Sequence, residues 1–122
     1  MSSPTAPRLV APQPEDILQR TPSVRWAVIP LVGGTAVWWE FAPDQDLARH
    51  NHPHAQIVIV VEGSIDLIFD DGAITVGPGQ TLPILPHVYH GARTGPEGLR
   101  VVDVFIPARD EYEAEYNAAR GA

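Results

Sequence analysis

Apolar residues alternate with polar ones over short stretches of this chain, and Gly, Pro and Asp separate the stretches. This period of two is typical of β-strands with one buried face. The stretches that we predict as extended are 24–30, 35–41, 48–62, 64–69, 73–76, 80–85, 88–93 and 99–106. The most apolar run, 57–61, indicates a strand that is covered on both faces. About eight or nine short strands with no helices between them predict an all-β sandwich or barrel.

The two ends of the chain depart from this pattern. Residues 1–22 carry five prolines among polar residues, and proline cannot donate to a strand ladder. We therefore expect a flexible arm there. From residue 110 the acidic side chains come early and Arg120 comes late, which suits the dipole of a short helix. The predicted organisation is an arm (1–22), a β-barrel (23–109) and a C-terminal helix or tail (110–122).

Composition and charge exclude several classes of function. The 122 residues suffice for one domain with its own core, the net charge is −7, and the eight basic residues are scattered arginines. Neither nucleic-acid binding nor a membrane span is expected. The N-terminus lacks the basic start and apolar segment of a signal peptide. The chain has no Cys, which excludes disulfides and thiolate chemistry, and both features fit a cytoplasmic protein.

Histidines are concentrated in the stretch His50-Asn-His52-Pro-His54-Ala-Gln56, just before the most apolar run. On an extended chain the three imidazoles and the carboxamide share one face. Nitrogen donors so close together can bind a divalent metal, and another imidazole from a distant strand could complete the site. The alternative is a polar loop whose imidazoles form local hydrogen bonds.

The histidine stretch resembles the first motif of the cupin superfamily. The residues that carry the resemblance are His50-x-His52-x3-Gln56-x6-Gly63. The family commonly has Glu where this chain has Gln56. A neutral amide would leave the charge of the metal unbalanced, which favours Lewis-acid chemistry. Alternatively, Gln56 only hydrogen-bonds a ligand histidine.

A later stretch, from Gly79 through Pro86 to His90, is similar to the second cupin motif, one residue short of the common spacing. The shorter spacing could favour His87, but His90 is better placed because a strand follows it. The resemblance covers residues 24–109 and implies a small jelly-roll β-barrel. It also implies one divalent metal ion (Fe, Ni, Zn or Mn) whose ligands are His50, His52, Gln56 and His90.

A narrower resemblance is to the KdgF-type cupins, which convert unsaturated uronates to linear keto forms. It rests on the histidine stretch and on Asp103-x-Phe105-x-Pro107-x-Arg109. It implies that Asp103, Phe105 and Arg109 line the pocket. Our hypothesis is that Asp103 acts there as general acid and base and that Arg109 binds a substrate carboxylate. By alternation Val101, Asp103 and Phe105 share one face of a strand. Alternatively, Asp103 pairs with a surface arginine and Arg109 merely starts the helix.

Three further residues are assigned around the expected site. Tyr89, next to His90, either donates a second proton or only packs. His54 is either a base near the metal or a solvent-facing side chain. Trp39 joins Phe105 and Val101 as a candidate for the pocket wall, since aromatic residues supply much of any core.

The predicted function is a metal-dependent, non-redox lyase, isomerase or cyclase that acts on a small carbonyl or enol substrate, such as an unsaturated uronate. The alternatives are an Fe(II)-dependent dioxygenase, a polyketide cyclase of natural-product biosynthesis and a non-catalytic small-molecule-binding cupin. Fold resemblance does not choose among these chemistries. The expected partners are a small polar or anionic substrate and a second copy of the chain in a homodimer.

Overall fold

The computed structural model describes residues 13–121, which form eight β-strands and one C-terminal helix. The strands are β1 (Leu18–Thr21), β2 (Val24–Leu31), β3 (Gly34–Phe41), β4 (Asp46–His50), β5 (Ala55–Phe69), β6 (Gly72–Val76), β7 (Thr81–Ile84) and β8 (His90–Ile106), and the helix is α1 (Asp110–Ala119). All pairings are antiparallel, in the order β1-β2-β3-β8-β5-β6, with β4 on β8 and β7 on β5. The predicted all-β jelly roll with a short helix at its end is confirmed.

The two long strands, β5 and β8, hold the barrel together. Each pairs with the other along most of its length and changes its second neighbour on the way, from β7 to β6 along β5 and from β4 to β3 along β8. Gly63 lies where they bend, with a φ of 80°, and a Cβ there would be 2.1 Å from the carbonyl oxygen of Gly98. Only glycine permits this approach, which explains the glycine that ends the first motif.

Alternation along the strands decides which side chains enter the barrel. Trp26, Val37 and Val101 are almost fully buried. Trp26 and Trp39 stack with their ring centroids 5.3 Å apart, and Tyr112 of α1 meets both rings edge-on. Helix α1 therefore packs across the barrel onto an aromatic layer that also borders the functional cavity. No helix among residues 13–121 is long and apolar enough to cross a membrane.

Residues 13–21, the described part of the N-terminal segment, are more ordered than the proline content of residues 1–22 predicts. Residues 1–12 lie outside the described residues. Pro14–Asp16 form one turn of 3-10 helix, and Leu18–Thr21 form β1, in which Leu18 is opposite Trp26 of β2. The physical reason is that β1 itself contains no proline. Its alternate residues, Leu18 and Arg20, are half-buried, so one face of the strand contributes to the molecule's interior.

The histidine stretch is not one extended strand. β4 ends at His50, β5 begins at Ala55, and the intervening loop contains Pro53, which cannot join a ladder. The expectation that all four polar side chains share one strand face is therefore wrong. His50 ends β4, His52 and His54 lie in the loop, and Gln56 is the second residue of β5. Two stretches predicted as separate strands, 88–93 and 99–106, are parts of the single strand β8.

Candidate metal centre and cavity

A cavity of about 260 Å³ lies inside the barrel. Strands β1 to β5, β8 and the start of α1 all contribute to its wall. Most of the wall is apolar, including Val24, Val58, Leu67, Val101 and Phe105. The side chains on it that can bind a polar ligand or exchange a proton are Arg20, His50, Gln56, His90, Asp103, Arg109 and Tyr112. A largely apolar cavity with a few convergent polar groups is typical of a small-molecule site.

Three imidazoles converge beside this cavity, and two of them, His50 and His90, form part of its wall. One ring nitrogen from each of His50, His52 and His90 lies within 4.8 Å of the other two. His50 and His90 face each other across the β4–β8 pair. His52 lies in the loop, and its backbone carbonyl accepts a hydrogen bond from the backbone N–H of His87 at 2.8 Å. The side-chain amide of Asn51 donates to the His87 carbonyl at 3.2 Å. Strand pairing and loop hydrogen bonds thus fix all three rings.

Backbone carbonyls determine which nitrogen of each ring is free. The Nδ1 atoms of His50, His52 and His90 lie 2.8, 3.0 and 2.8 Å from the carbonyl oxygens of Ala48, His54 and Val88, respectively. Because a carbonyl only accepts, each Nδ1 carries a proton, and each Nε2 keeps a lone pair for a metal. Burial lowers the pKa of His52 and of His90, which keeps both rings neutral.

Gln56 extends this donor set. Its Oε1 lies 3.0 Å from Nε2 of His52. In the tautomer fixed by the carbonyls both atoms are acceptors, and their separation fits a cation that both would bind. Two ligand atoms each about 2.1 Å from one ion and at right angles are about 3 Å apart. If the amide were instead turned over, it would donate to His52 and occupy the lone pair that the metal needs. Three neutral imidazoles and an amide fit a divalent first-row metal.

Asp103 projects from β8 into the cavity, with Val37 and Val58 as its neighbours across the two adjoining strands. Burial among apolar groups raises its pKa from 3.8 to about 7. The neighbouring Gln56 amide and Trp39 indole, with the charge of Arg109, oppose that rise. The Trp39 Nε1–H nevertheless makes no hydrogen bond of standard geometry. The carboxyl group therefore exchanges a proton readily near neutral pH.

The surface pairing considered for Asp103 is not what the structure shows. Arg93 pairs with Asp44 and Asp46. Arg100 pairs with Glu40 and Glu62 on the outer side of the sheet. Asp103 makes no ion pair with any described residue, and its surroundings are the cavity wall.

Arg109 directly precedes α1 and also borders the cavity. Its guanidinium carbon lies 4.0 Å from the Tyr112 ring centroid and 4.9 Å from that of Phe105. Its Nε donates to Glu111 at 2.5 Å, and its backbone N–H donates to Thr35 Oγ1 at 2.8 Å. The Arg109 side chain is only 13% exposed. Ring stacking and the hydrogen bond to Glu111 hold its positively charged guanidinium group at the cavity wall.

Three of the residues assigned from the sequence, His52, His54 and Tyr89, are not part of the cavity wall. The Tyr89 ring is 45% exposed and stacks on the guanidinium of Arg49 at 4.1 Å. His54 is half-buried beside Phe105 and His52, and its Nδ1 has no hydrogen-bond partner among the described residues. Its carbonyl orients His52. The predicted roles of Tyr89 and His54 in proton transfer therefore stay predictions, and His54 lies directly behind His52.

Sequence reasoning missed Arg20 and Tyr112, which both border the cavity. Arg20 bonds through Nε and Nη2 to both carboxylate oxygens of Glu115, at 2.9 and 3.0 Å. Its guanidinium also stacks on Trp26 at 4.4 Å. No local pattern indicates Arg20, because β1 is only four residues long. For Tyr112 the available signal is its position on the first turn of a helix that follows the site strand.

Solved structures with the same fold include enzymes. An RmlC-like cupin from Shewanella frigidimarina is 28% identical, with a TM-score of 0.71 over 79% of this chain and 86% of that one. KdgF from Halomonas sp. is 25% identical, with a TM-score of 0.73 over 80% of this chain and 92% of that one. An oxalate decarboxylase variant from Bacillus subtilis, 16% identical with a TM-score of 0.64, covers 75% of this chain with 27% of its own length and shares the fold alone.

No curated protein sequence matches this chain. The family model described as "Cupin domain" matches residues 37–105, which is more than half of the 122 residues. The matched segment contains the three convergent histidines, Gln56 and Asp103. The chain belongs to the cupin family.

Proposed function

We propose that this cupin is a metal-dependent enzyme that transfers protons on a small carbonyl or enol substrate without redox change, as a lyase, isomerase or cyclase. One observation carries the proposal. Asp103, a carboxyl group whose pKa is about 7, lies in the same cavity as the convergent imidazoles, and Gln56 contacts both Asp103 and His52. An exchangeable proton beside a metal-binding donor set is what such chemistry needs.

The metal would be held by His50, His52 and His90, with Gln56 as the fourth ligand. When bound, a divalent ion supplies Lewis acidity toward an oxygen of the substrate. All four donors are neutral, so they leave the charge of the ion undiminished. His50 is exposed whereas His52 and His90 are buried, which leaves one side of the site open to an entering molecule.

The remaining wall residues would bind and orient the substrate. Arg109 offers a guanidinium that matches a carboxylate in bidentate geometry. Phe105, Val101 and Trp39 are almost fully buried, and they exclude water around Asp103. Asp103 would take a proton from one substrate position and return it at another. A volume of about 260 Å³ suits one small molecule rather than a polymer.

The substrate class that we propose is an unsaturated uronate monomer. Its carboxylate matches Arg109, and its enol form matches a Lewis acid beside a carboxyl group that exchanges protons. The structural similarity to KdgF from Halomonas sp. over most of both chains supports the same choice.

The test is turnover of an unsaturated uronate by metal-loaded protein, followed by the loss of the double-bond ultraviolet absorbance and by NMR of the product. Asp103→Asn should lower turnover by about 10²-fold or more and leave metal content unchanged, because it removes only the exchangeable proton. Asp71→Asn, in an exposed turn, is the matched control. Retained turnover in Asp103→Asn would remove Asp103 from the reaction.

A second candidate is an Fe(II)-dependent dioxygenase, because a three-histidine site with no carboxylate ligand also suits non-haem iron. Substrate-dependent oxygen consumption by the iron-loaded protein would identify it. A polyketide cyclase shares the proton chemistry proposed above and differs only in substrate. Inactivity of protein with an intact metal across these substrates would favour the non-catalytic binding cupin.

A further inference from the structure

Tyr112 lies in the first turns of α1, and its ring packs into the interior at the cavity. It meets Trp26, Trp39 and Phe105 edge-on, with ring centroids 5.6, 5.7 and 5.9 Å away. These contacts fix the ring plane and leave the side chain few alternative rotamers. Tyr112 borders the same cavity as Asp103 and His90.

The Tyr112 hydroxyl donates no hydrogen bond to any acceptor among the described residues, 13–121. The hydroxyl's hydrogen-bonding neighbour is Arg20, which can only donate, while the charges of Arg109, Asp103 and Glu111 act on it from further away. Tyr116, four residues later on the same helix, differs in this respect because its hydroxyl donates to the backbone carbonyl of Asp16. A phenol inside a barrel whose O–H is left without an acceptor is available to a ligand in the cavity.

Two cations lie next to the Tyr112 ring. The guanidinium carbons of Arg20 and Arg109 are 5.2 and 4.0 Å from its centroid. Both arginines are anchored by carboxylates of the same helix, Arg20 by Glu115 and Arg109 by Glu111. Positive charge so close stabilises a phenolate if the hydroxyl gives up its proton.

We infer that Tyr112 is a catalytic proton donor, which contacts the substrate and delivers a proton to the oxygen that gains negative charge in the reaction. This inference rests on the proposed function. In the step, the O–H bond of Tyr112 breaks, an O–H bond forms on the substrate, and the electron pair stays on the phenolate. The phenolate takes this proton back when the carbonyl of the product forms and Asp103 returns its own proton, so the substrate gains no net proton.

The direction of the pKa agrees with donation rather than abstraction. Burial raises the pKa of Tyr112 above its ordinary value of 10.0, while Arg109 and Arg20 oppose the rise. The phenol is therefore protonated at neutral pH and enters the reaction as an acid.

The experiment compares Tyr112→Phe with Tyr116→Phe in the metal-loaded protein. Tyr112→Phe keeps the ring, its edge-on contacts and both cation–π contacts, so the fold is expected to persist. It should lower kcat on the unsaturated uronate by about 10²-fold with little change in KM or metal content. Tyr116→Phe loses a structural hydrogen bond and should keep kcat. Unchanged kcat in Tyr112→Phe, with active wild-type protein, overturns the inference and leaves the proposed function standing.

A binding measurement separates this inference from the proposed reaction. The probe is galacturonate, a saturated uronate, titrated calorimetrically into metal-loaded protein. Loss of one hydrogen bond from the phenol should weaken its binding to Tyr112→Phe by about 5- to 10-fold relative to Tyr116→Phe. Such weakening with no turnover by wild-type protein keeps the Tyr112 contact and rejects the reaction. Equal binding to both variants rejects the contact.

Discussion

Asp103 is stabilised in its protonated form by the apolar groups around it, and this has a cost for the fold. Its pKa rises from 3.8 in an exposed state to about 7 in the folded protein. The folded state therefore binds the proton more tightly than the unfolded state. The free energy of unfolding falls as the pH rises between these two values, and the full loss applies above the higher one. A stability cost at one residue is typical of a functional site.

Replacing this carboxyl group with a neutral amide should recover the lost stability. At about pH 8, metal-free Asp103→Asn should unfold at a higher temperature than wild-type protein, with a gain in unfolding free energy on the order of a few kcal/mol. At about pH 5 the difference should be smaller. Only part of the stability loss has built up there, because this pH lies between the pKa of 3.8 in the exposed state and the pKa of about 7 in the folded protein. Calorimetric unfolding at both pH values measures this. An Asp103→Asn protein that is no more stable at the higher pH would contradict the assignment.

At the scale of residues, sequence reasoning succeeds where a rare residue type recurs at a fixed spacing. His50 and His52 were identified in that way and His90 through the second motif, and the structure brings the three together. Arg20 and Tyr112 belong to no motif of this kind in the sequence. They reach the cavity only because β1 pairs with β2 and α1 packs across the barrel, and no local pattern encodes either contact.

At the scale of elements, α1 is joined to the barrel by one buried hydroxyl. Thr35 of β3 is 0% exposed. Its Oγ1 accepts the backbone N–H of Arg109 at 2.8 Å and donates to the Glu113 carboxylate. Strand β3 therefore fixes the start of α1 through Thr35, and this also positions the Arg109 side chain.

Thr35→Val should loosen this junction. Valine has the same shape but leaves the Arg109 N–H and the Glu113 carboxylate without their partner, at a cost of about 1–3 kcal/mol in unfolding free energy. Hydrogen exchange of the α1 amides should accelerate while metal content stays the same. Thr75→Val, which removes the exposed hydrogen bond to Asp66, is the control. Unchanged exchange in α1 would show that the helix is held by its aromatic contacts alone.

Strand existence followed from the period of two, but strand boundaries did not. The histidine loop interrupts an apparently continuous stretch because Pro53 cannot pair. β1 was hidden because four residues are too few to show a period, and its register comes from β2. The two strands predicted at 88–93 and 99–106 are continuous in β8 because of Gly98. Its φ of 81° permits a bend at which the strand continues.

At the scale of the whole molecule, one outer face of the barrel is apolar over several strands. We define this outer apolar face by residues that are adjacent in register on β3, β8 and β5: Ala36, Trp38, Val102, Val104, Ile57 and Ile59. A row of ion pairs between Arg25, Glu40, Arg100 and Glu62 borders it. In a chain of net charge −7, an uncharged face is where two copies meet with the least repulsion.

We propose that a second copy of the chain covers this face in a homodimer. Ile57→Glu should convert the dimer to monomer, because it would bury an unpaired charge at the centre of the interface. Ile74→Glu, at an equally exposed isoleucine on β6, should remain dimeric. Sedimentation of both variants and of wild-type protein measures the masses. Monomeric wild-type protein, or a dimer insensitive to Ile57→Glu, would contradict the proposal.

The architecture of the barrel was predictable because period-two patterning and the two motifs act along the whole chain. The cavity was not, because its shape depends on how Trp39, Tyr112 and Arg20 meet from three distant elements. Packing of that kind is decided by the whole fold rather than by any segment.

The central claim is that His50, His52 and His90 hold a divalent metal in this cavity. Metal content per chain, measured by mass spectrometry after loading and extensive dialysis, tests it most directly. We expect about one equivalent in wild-type protein and in His87→Asn, which changes an exposed imidazole outside the cluster, and almost none in His90→Ala or His52→Ala. Metal retained equally by wild-type protein and His90→Ala, or absent from wild-type protein, would contradict the account.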